Sequence, residues 1–324
     1  MRWWMILLLA LAALTVIVRV ITARSTVLQS KFIRLLCSLN AGARPKNFDE
    51  VLAAIDTLAE DVSYESAFEN GVLDVYAAKG DAKLPLIVYA HGGYYVGDDK
   101  RSFAYYCRTL ASKGYVVASL NYRLTPEGRY PTQMLQFNEA MGFLLAHAEE
   151  YRFDTQKIFI GGDSAGAHLS SQMGLYYTNP AFQARIGGTP AIARERLRGV
   201  ILHCGYYNID TLRATKFPLI TDSVWMMTGE KHFEGSEAGK SMSTVAWVTP
   251  DYPPVYLDCG DKDPFHSQAL EMIDALKGQA VEVVSYLPKS DKVRLTHEFQ
   301  VRLDLPESQE ALERLAGFLG EKAK

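Results

Sequence analysis

The sequence predicts an α/β protein with a doubly wound, mostly parallel sheet. Short apolar runs alternate with helix-spaced stretches from about residue 71 to the C-terminus, the pattern left by strand–helix–strand units. One of those runs passes through a glycine-flanked serine directly into a helical pattern. The composition also leaves ample material for a large core, since 48% of the 324 residues are hydrophobic and 22% charged.

The elements follow in order. Phe48 to Leu58 carries helix-spaced apolar residues, and Gly71 to Ala78 reads as an early strand built on Val72, Leu73, Val75 and Tyr76. Leu84 to Ala90, Tyr115 to Leu120, Lys157 to Ile160, Val200 to Cys204, Val255 to Cys259 and Val281 to Tyr286 are runs of Val, Ile, Leu and Tyr that read as buried strands. Between and after them, Phe103 to Lys113, Gln133 to Ala148, Ala165 to Tyr177, Ser267 to Lys277 and Ser308 to Leu319 read as helices. Gly205 to Val248 breaks the rhythm. It holds Trp225, Met226, Met227, Phe233 and Trp247 without a clear strand, and a helical cap inserted at 205–248 is expected, ordinary surface helices being the alternative.

The expected organisation is an N-terminal segment, 1–24, followed by one catalytic domain, 25–324. Trp3 to Val18 is free of charge, and with Val20 and Ile21 the stretch approaches the ~17–25 residues of a membrane-spanning helix. A hydrophobic helix anchoring the chain in a membrane is the first expectation. A cleaved signal, which would make the protein secreted, is the second, although Ile21-Thr22-Ala23 fits a cleavage site poorly. Arg19, Arg24, Lys31 and Arg34 on the C-terminal flank outnumber Arg2, which favours a catalytic part on the cytoplasmic side.

A net charge of −3 without a long Lys/Arg run excludes a nucleic-acid partner. Cys37, Cys107, Cys204 and Cys259 form neither a CxxC pair nor a metal-ligand cluster, so free thiols are expected and no metal or other cofactor is implied.

The chemistry centres on Gly162-Asp163-Ser164-Ala165-Gly166, a G-x-S-x-G sequence between a strand and a helix. Such a turn is so sharp that the residues two before and two after the serine must be small, and Gly162 and Gly166 are. Ser164 is the candidate nucleophile. Leu84 to Ala90 ends at His91-Gly92-Gly93, where the amides of Gly92 and Gly93 can join that of Ala165 as an oxyanion hole. His91, preceding the glycines, is expected to brace that loop.

With an acid and then a histidine required after the serine, Asp263 follows the run ending at Cys259. Asp258 and Asp261 remain alternatives. His297 lies after the last strand and before a helix, the place for a general base, while His266 is expected to start a helix. Ser164, Asp263 and His297 then form a triad that cleaves an acyl bond through an acyl-enzyme. Tyr94, Tyr95, Trp225 and Met226, with Met227, are candidate substrate-binding residues.

These stretches, together with Asn121-Tyr122-Arg123-Leu124-Thr125-Pro126-Glu127, resemble the hormone-sensitive-lipase-like esterase/lipase branch of the α/β-hydrolases over about residues 72 to 320. The resemblance implies the α/β-hydrolase fold and carboxylesterase activity on modest acyl esters, with a helical cap shaping the pocket. Tyr94 and Ala167 stand where that family usually has glycine. His91-Gly92-Gly93-Tyr94 with Ser164-Ala165-Gly166-Ala167-His168-Leu169 is also similar to kynurenine formamidases, which leaves a formamide substrate open. A non-catalytic binding member of the fold is a third reading.

Overall fold

The computed structural model describes Trp4, residues 25–38 and residues 45–324. Eight strands form one sheet in the order β1-β2-β4-β3-β5-β6-β7-β8: β1 (Ile55–Ser63), β2 (Val72–Ala78), β3 (Leu84–Ala90), β4 (Val116–Leu120), β5 (Phe153–Asp163), β6 (Leu197–His203), β7 (Val255–Asp258) and β8 (Val283–Tyr286). β1 and β2 run antiparallel to their neighbours, and β3 to β8 are parallel.

The central parallel strands are apolar where both faces are covered, as over Leu86–Ala90, Val116–Leu120 and Ile158–Ile160. In β3, Leu86, Val88 and Ala90 enter one core, and Ile87 and Tyr89 enter the other. The first core is closed by α4 (Thr132–Ala146), α5 (Ala165–Thr178) and α9 (His266–Gly278) through Phe137, Met173 and Met272. α3 (Ala104–Ser112) and α10 (Pro306–Lys322) close the second through Leu110, Leu315 and Phe318. Fully burying each such Leu, Met or Phe contributes about 1.5–3 kcal/mol.

Two elements correct the sequence reading. The helix expected over Phe48 to Leu58 stops at Ala54 as α2 (Phe48–Ala54), and Ile55 opens the edge strand β1. Register shifts between Thr57 and Ala59 and between Ala59 and Val62 break the two-residue alternation. Ile55 enters the second core while Ala59 and Val62 pack against the first, so the regular alternation of a strand is lost there.

Thr26–Ser38 forms α1, an unforeseen helix. It buries Gln29, Ser30 and Ile33, while Val27, Leu28, Phe32, Leu35 and Leu36 are exposed. Its apolar pattern therefore points away from the face that packs.

The expected membrane location through a single N-terminal anchor is also corrected. No helix among the described residues is long and apolar enough to cross a membrane. Apart from Trp4, the anticipated hydrophobic helix of 1–24 lies outside the described residues.

Residues 205–248 contain no strand. They hold the short helices α7 (Ile220–Thr228) and α8 (Glu237–Met242), with α6 (Pro180–Ile186) lying before β6. α7 meets α1 through Gln29 Nε2 and Asp222 Oδ1, 3.1 Å apart, and through Ile33, Val96 and Met226.

Candidate active site

Parallel strands carry the loops that follow them to one edge of the sheet. Gly92 follows β3, Ser164 follows β5, Asp263 follows β7 and His297 follows β8. The register pairs Ala90 with Gly162, so the glycine loop after β3 lies beside the serine turn.

That turn is tightly constrained. Ser164 has φ 51° and ψ −112°, in the strained positive-φ half of backbone space, and its amide donates to His203 O at 2.8 Å. A Cβ at Gly162 or Gly166 would collide with the carbonyl of Ala90, so only glycine lets β3 and the turn close together. Ala165, the first residue of α5, presents its amide where a helix leaves amides without an internal acceptor.

His297 Nε2 lies 2.9 Å from Ser164 Oγ, and His297 Nδ1 lies 2.8 Å from Asp263 Oδ2. Asp263 is held in turn by the Phe265 amide, which donates to Oδ1 at 2.8 Å. The rings of Phe217 and Phe265 stand 4.8 and 5.3 Å from the imidazole. Burial disfavours charge on His297, but the Asp263 carboxylate, its hydrogen bond and the nearby Glu298 outweigh that and raise its pKa above 6.5.

The alternative acids and base are placed elsewhere. Asp258 receives His203 Nδ1 at 2.9 Å, because the register sets those two residues side by side on β6 and β7. Asp261 pairs with Lys262 at 2.8 Å. His266 opens α9 with Nδ1 3.2 Å from Gly260 O.

The glycine loop is braced from beneath. His91 stacks on Tyr122 at 4.5 Å with its Nδ1 2.8 Å from Gly92 O, and the Tyr122 hydroxyl donates to His91 O at 2.7 Å. Burial lowers the His91 pKa, which favours a neutral ring there. Gly93, with φ 90°, turns the loop toward the serine.

A cavity of about 250 Å³ opens over Ser164 and His297, walled by Leu36, Cys37, Tyr94, Phe217 and Glu298. Of the five candidate substrate-binding residues, Tyr94 lines it, and Met227 is buried in the first core. Tyr95 is buried below with its hydroxyl 2.8 Å from His168 Nδ1. Met226 packs on Ile33 and Val96, and Trp225 lies under Lys231 Nζ at 5.3 Å. Leu36, Phe217 and Glu298 were missed as wall residues. Only Glu298 carried a signal, its place directly after His297.

Cys204, Asp263 and His297 bring donor atoms within 4.8 Å of one another. Asp263 and His297 are hydrogen-bonded to each other, and burial pushes the Cys204 thiol well above its ordinary range.

Comparison with known proteins places this geometry in a family. The chain is 26% identical over 234 residues to the probable carboxylic ester hydrolase LipM of Mycobacterium tuberculosis, a match covering 70% of this chain and 53% of that protein. It is also 26% identical over 224 residues to esterase LipC of the same organism, covering 67% of this chain and 54% of the relative. The match thus spans about half the length of these curated relatives. Esterase B from Lactobacillus rhamnosis superposes with a TM-score of 0.76 at 22% identity over 96% of both chains, a likeness of fold. The family model BD-FAE matches residues 73–273, from β2 to within α9. On that match and the architecture above, the chain belongs to the BD-FAE family of α/β-hydrolases.

Proposed function

We propose that the protein is a serine carboxylesterase that cleaves small carboxylic esters through an acyl-enzyme. The observation that carries this reading is the hydrogen-bonded line from Asp263 through His297 to Ser164, with spacings of 2.8 and 2.9 Å, at the floor of a cavity. The relatives' names, carboxylic ester hydrolase and esterase, point the same way.

In this mechanism Ser164 attacks the acyl carbonyl while its proton passes to His297 Nε2, and Asp263 steadies the imidazolium through Nδ1. The tetrahedral oxyanion is received by backbone amides at Gly93 and Ala165, while the expected third donor, the Gly92 amide, faces the Asp163 carboxyl. Gly93 faces the cavity, and Ala165 adds the positive end of α5. His297 then returns the proton to the leaving alkoxide, and water repeats the sequence to release the acid. Residues 205–248, with α1, supply the cover over the cavity. Its volume of about 250 Å³ lies below the roughly 300–1,000 Å³ of drug-sized sites and favours short acyl groups.

The test is hydrolysis of p-nitrophenyl esters of increasing acyl length, and of N-formylkynurenine, by the wild type and Ser164→Ala. Turnover of the short esters, with loss of activity and of fluorophosphonate labelling in the variant, is expected. Turnover confined to the formamide would replace the ester reading with an amidase one. No turnover and no labelling of Ser164 would overturn both.

A further inference from the structure

Next to the candidate triad lies a second carboxyl system, which the mechanism above does not use. Glu298 directly follows His297, has φ 59° and lines the same cavity. Its Oε1 is 3.7 Å from His297 Nε2, the nitrogen that faces Ser164. Asp163, the residue before the nucleophile, is completely buried, and neither of its carboxyl oxygens has a well-formed hydrogen bond. The two side chains converge on Gly92. A Cβ there would collide with Asp163 Oδ2 and lie 3.3 Å from Glu298 Oε1.

Two carboxyls in reach of each other form a hydrogen bond only if one of them keeps its proton, because two carboxylates offer acceptors alone. The surroundings favour that state. Burial raises the Asp163 carboxyl well above its ordinary range, with Glu298 and Asp98 adding to the rise, while the Tyr89 hydroxyl and Gly92 amide oppose it. Glu298 is raised by burial too. His297 and the neighbouring Asp163 oppose that rise, and Asp98 and Asp263 reinforce it.

The other ionisable groups facing Glu298 are Cys37 of α1, Tyr94 of the glycine loop and Cys204 after β6, all held neutral by burial. None of these neighbours is a lysine or arginine. Like charges so placed titrate as a pair, the first proton leaving easily and the second with difficulty.

We propose that Glu298 is a positioning residue whose carboxyl shares one proton with Asp163 across Gly92, tying the histidine loop to the serine turn and the glycine loop. The inference rests on the esterase reading for its kinetic consequence. While the proton is held, the pair carries a single negative charge and His297 Nε2 is left to Ser164. Once alkali removes it, two carboxylates stand beside the developing oxyanion. The Glu298 carboxylate, 3.7 Å from Nε2, then competes with Ser164 for the histidine.

The experiment compares wild type, Glu298→Gln, Glu298→Ala and Asp163→Asn by infrared difference spectroscopy and by kcat/KM against pH. The wild type should show a neutral-carboxyl stretch at neutral pH that shifts in D2O, and both E298Q and D163N should lose it. E298Q, whose amide can donate to Asp163 at every pH, should keep a higher kcat/KM at neutral pH than E298A and lose the alkaline fall. E298A, which leaves Asp163 without a partner, should drop by more than about tenfold. A wild type without the band, or alkaline limbs that superpose in wild type and E298Q, would overturn the shared proton. Because the band is read without turnover, its presence in a chain that cleaves no ester would sustain the shared proton and refute the esterase reading alone.

Discussion

Asp263→Asn exchanges one carboxylate oxygen for an amide nitrogen with almost no change of shape, and the structure dictates which one. The Phe265 amide donates to Oδ1 at 2.8 Å, so the asparagine oxygen must stay there as acceptor. Its NH2 group then faces His297 Nδ1 across the 2.8 Å contact. Two donors cannot share that contact. Nδ1 is forced to accept, the ring proton moves to Nε2, and the atom that should take the proton of Ser164 at 2.9 Å already carries one.

The lost carboxylate charge adds to this. At about 4 Å between charge centres and an effective dielectric near 20, it stabilised the imidazolium by roughly 4 kcal/mol, close to a thousandfold in rate. Asp263→Asn should therefore lower kcat on a short p-nitrophenyl ester by about 10³- to 10⁴-fold with little change in KM. The companion Asp258→Asn should weaken the fold by breaking the buried pair with His203, yet leave kcat of the folded enzyme within about threefold. D263N retaining more than about a tenth of wild-type kcat, or D258N matching its loss, would refute this assignment of the acid.

Three further outcomes are expected. The rise of kcat/KM with pH should have its midpoint above the ordinary 6.5 of histidine, because His297 must be neutral to act and the Asp263 charge raises its pKa; a midpoint below 6.5 would count against it as base. Lys100→Met should cost about 3–5 kcal/mol in denaturant unfolding, since the buried Lys100 Nζ holds the buried Asp74 carboxylate at 2.6 Å; a loss under about 1 kcal/mol would show Asp74 to be compensated otherwise. Burial lowers the His168 pKa from 6.5 to about 4. The neutral ring's stability is thus fully present above pH 6.5 and is lost as pH falls from there through about 4, a decline in Tm that His168→Gln should flatten.

Much of this architecture is written locally in the chain. Burial on both faces leaves short apolar runs in β3 to β7, in β5 only from Ile158 onward, and the close approach of Ala90 to the serine turn demands glycine at 162 and 166. Both signatures are short-range, so the strands, the serine turn and the glycine loop could be read from neighbouring residues. Elements whose packing is decided elsewhere could not. β1 carries bulges that break the two-residue alternation, and α1 packs its polar face inward.

The same division runs through the site. Chain order and local context sufficed to nominate Ser164, Asp263 and His297, because each stands in a loop directly after a strand. Which aspartate meets His297 was decided by strand register, which places Asp258 against His203 and leaves Asp263 free to reach His297 Nδ1. The cavity wall was decided by tertiary packing alone. Leu36, Tyr94 and Phe217 come from three distant segments, and no sequence pattern records a contact between side chains that only the completed fold brings together.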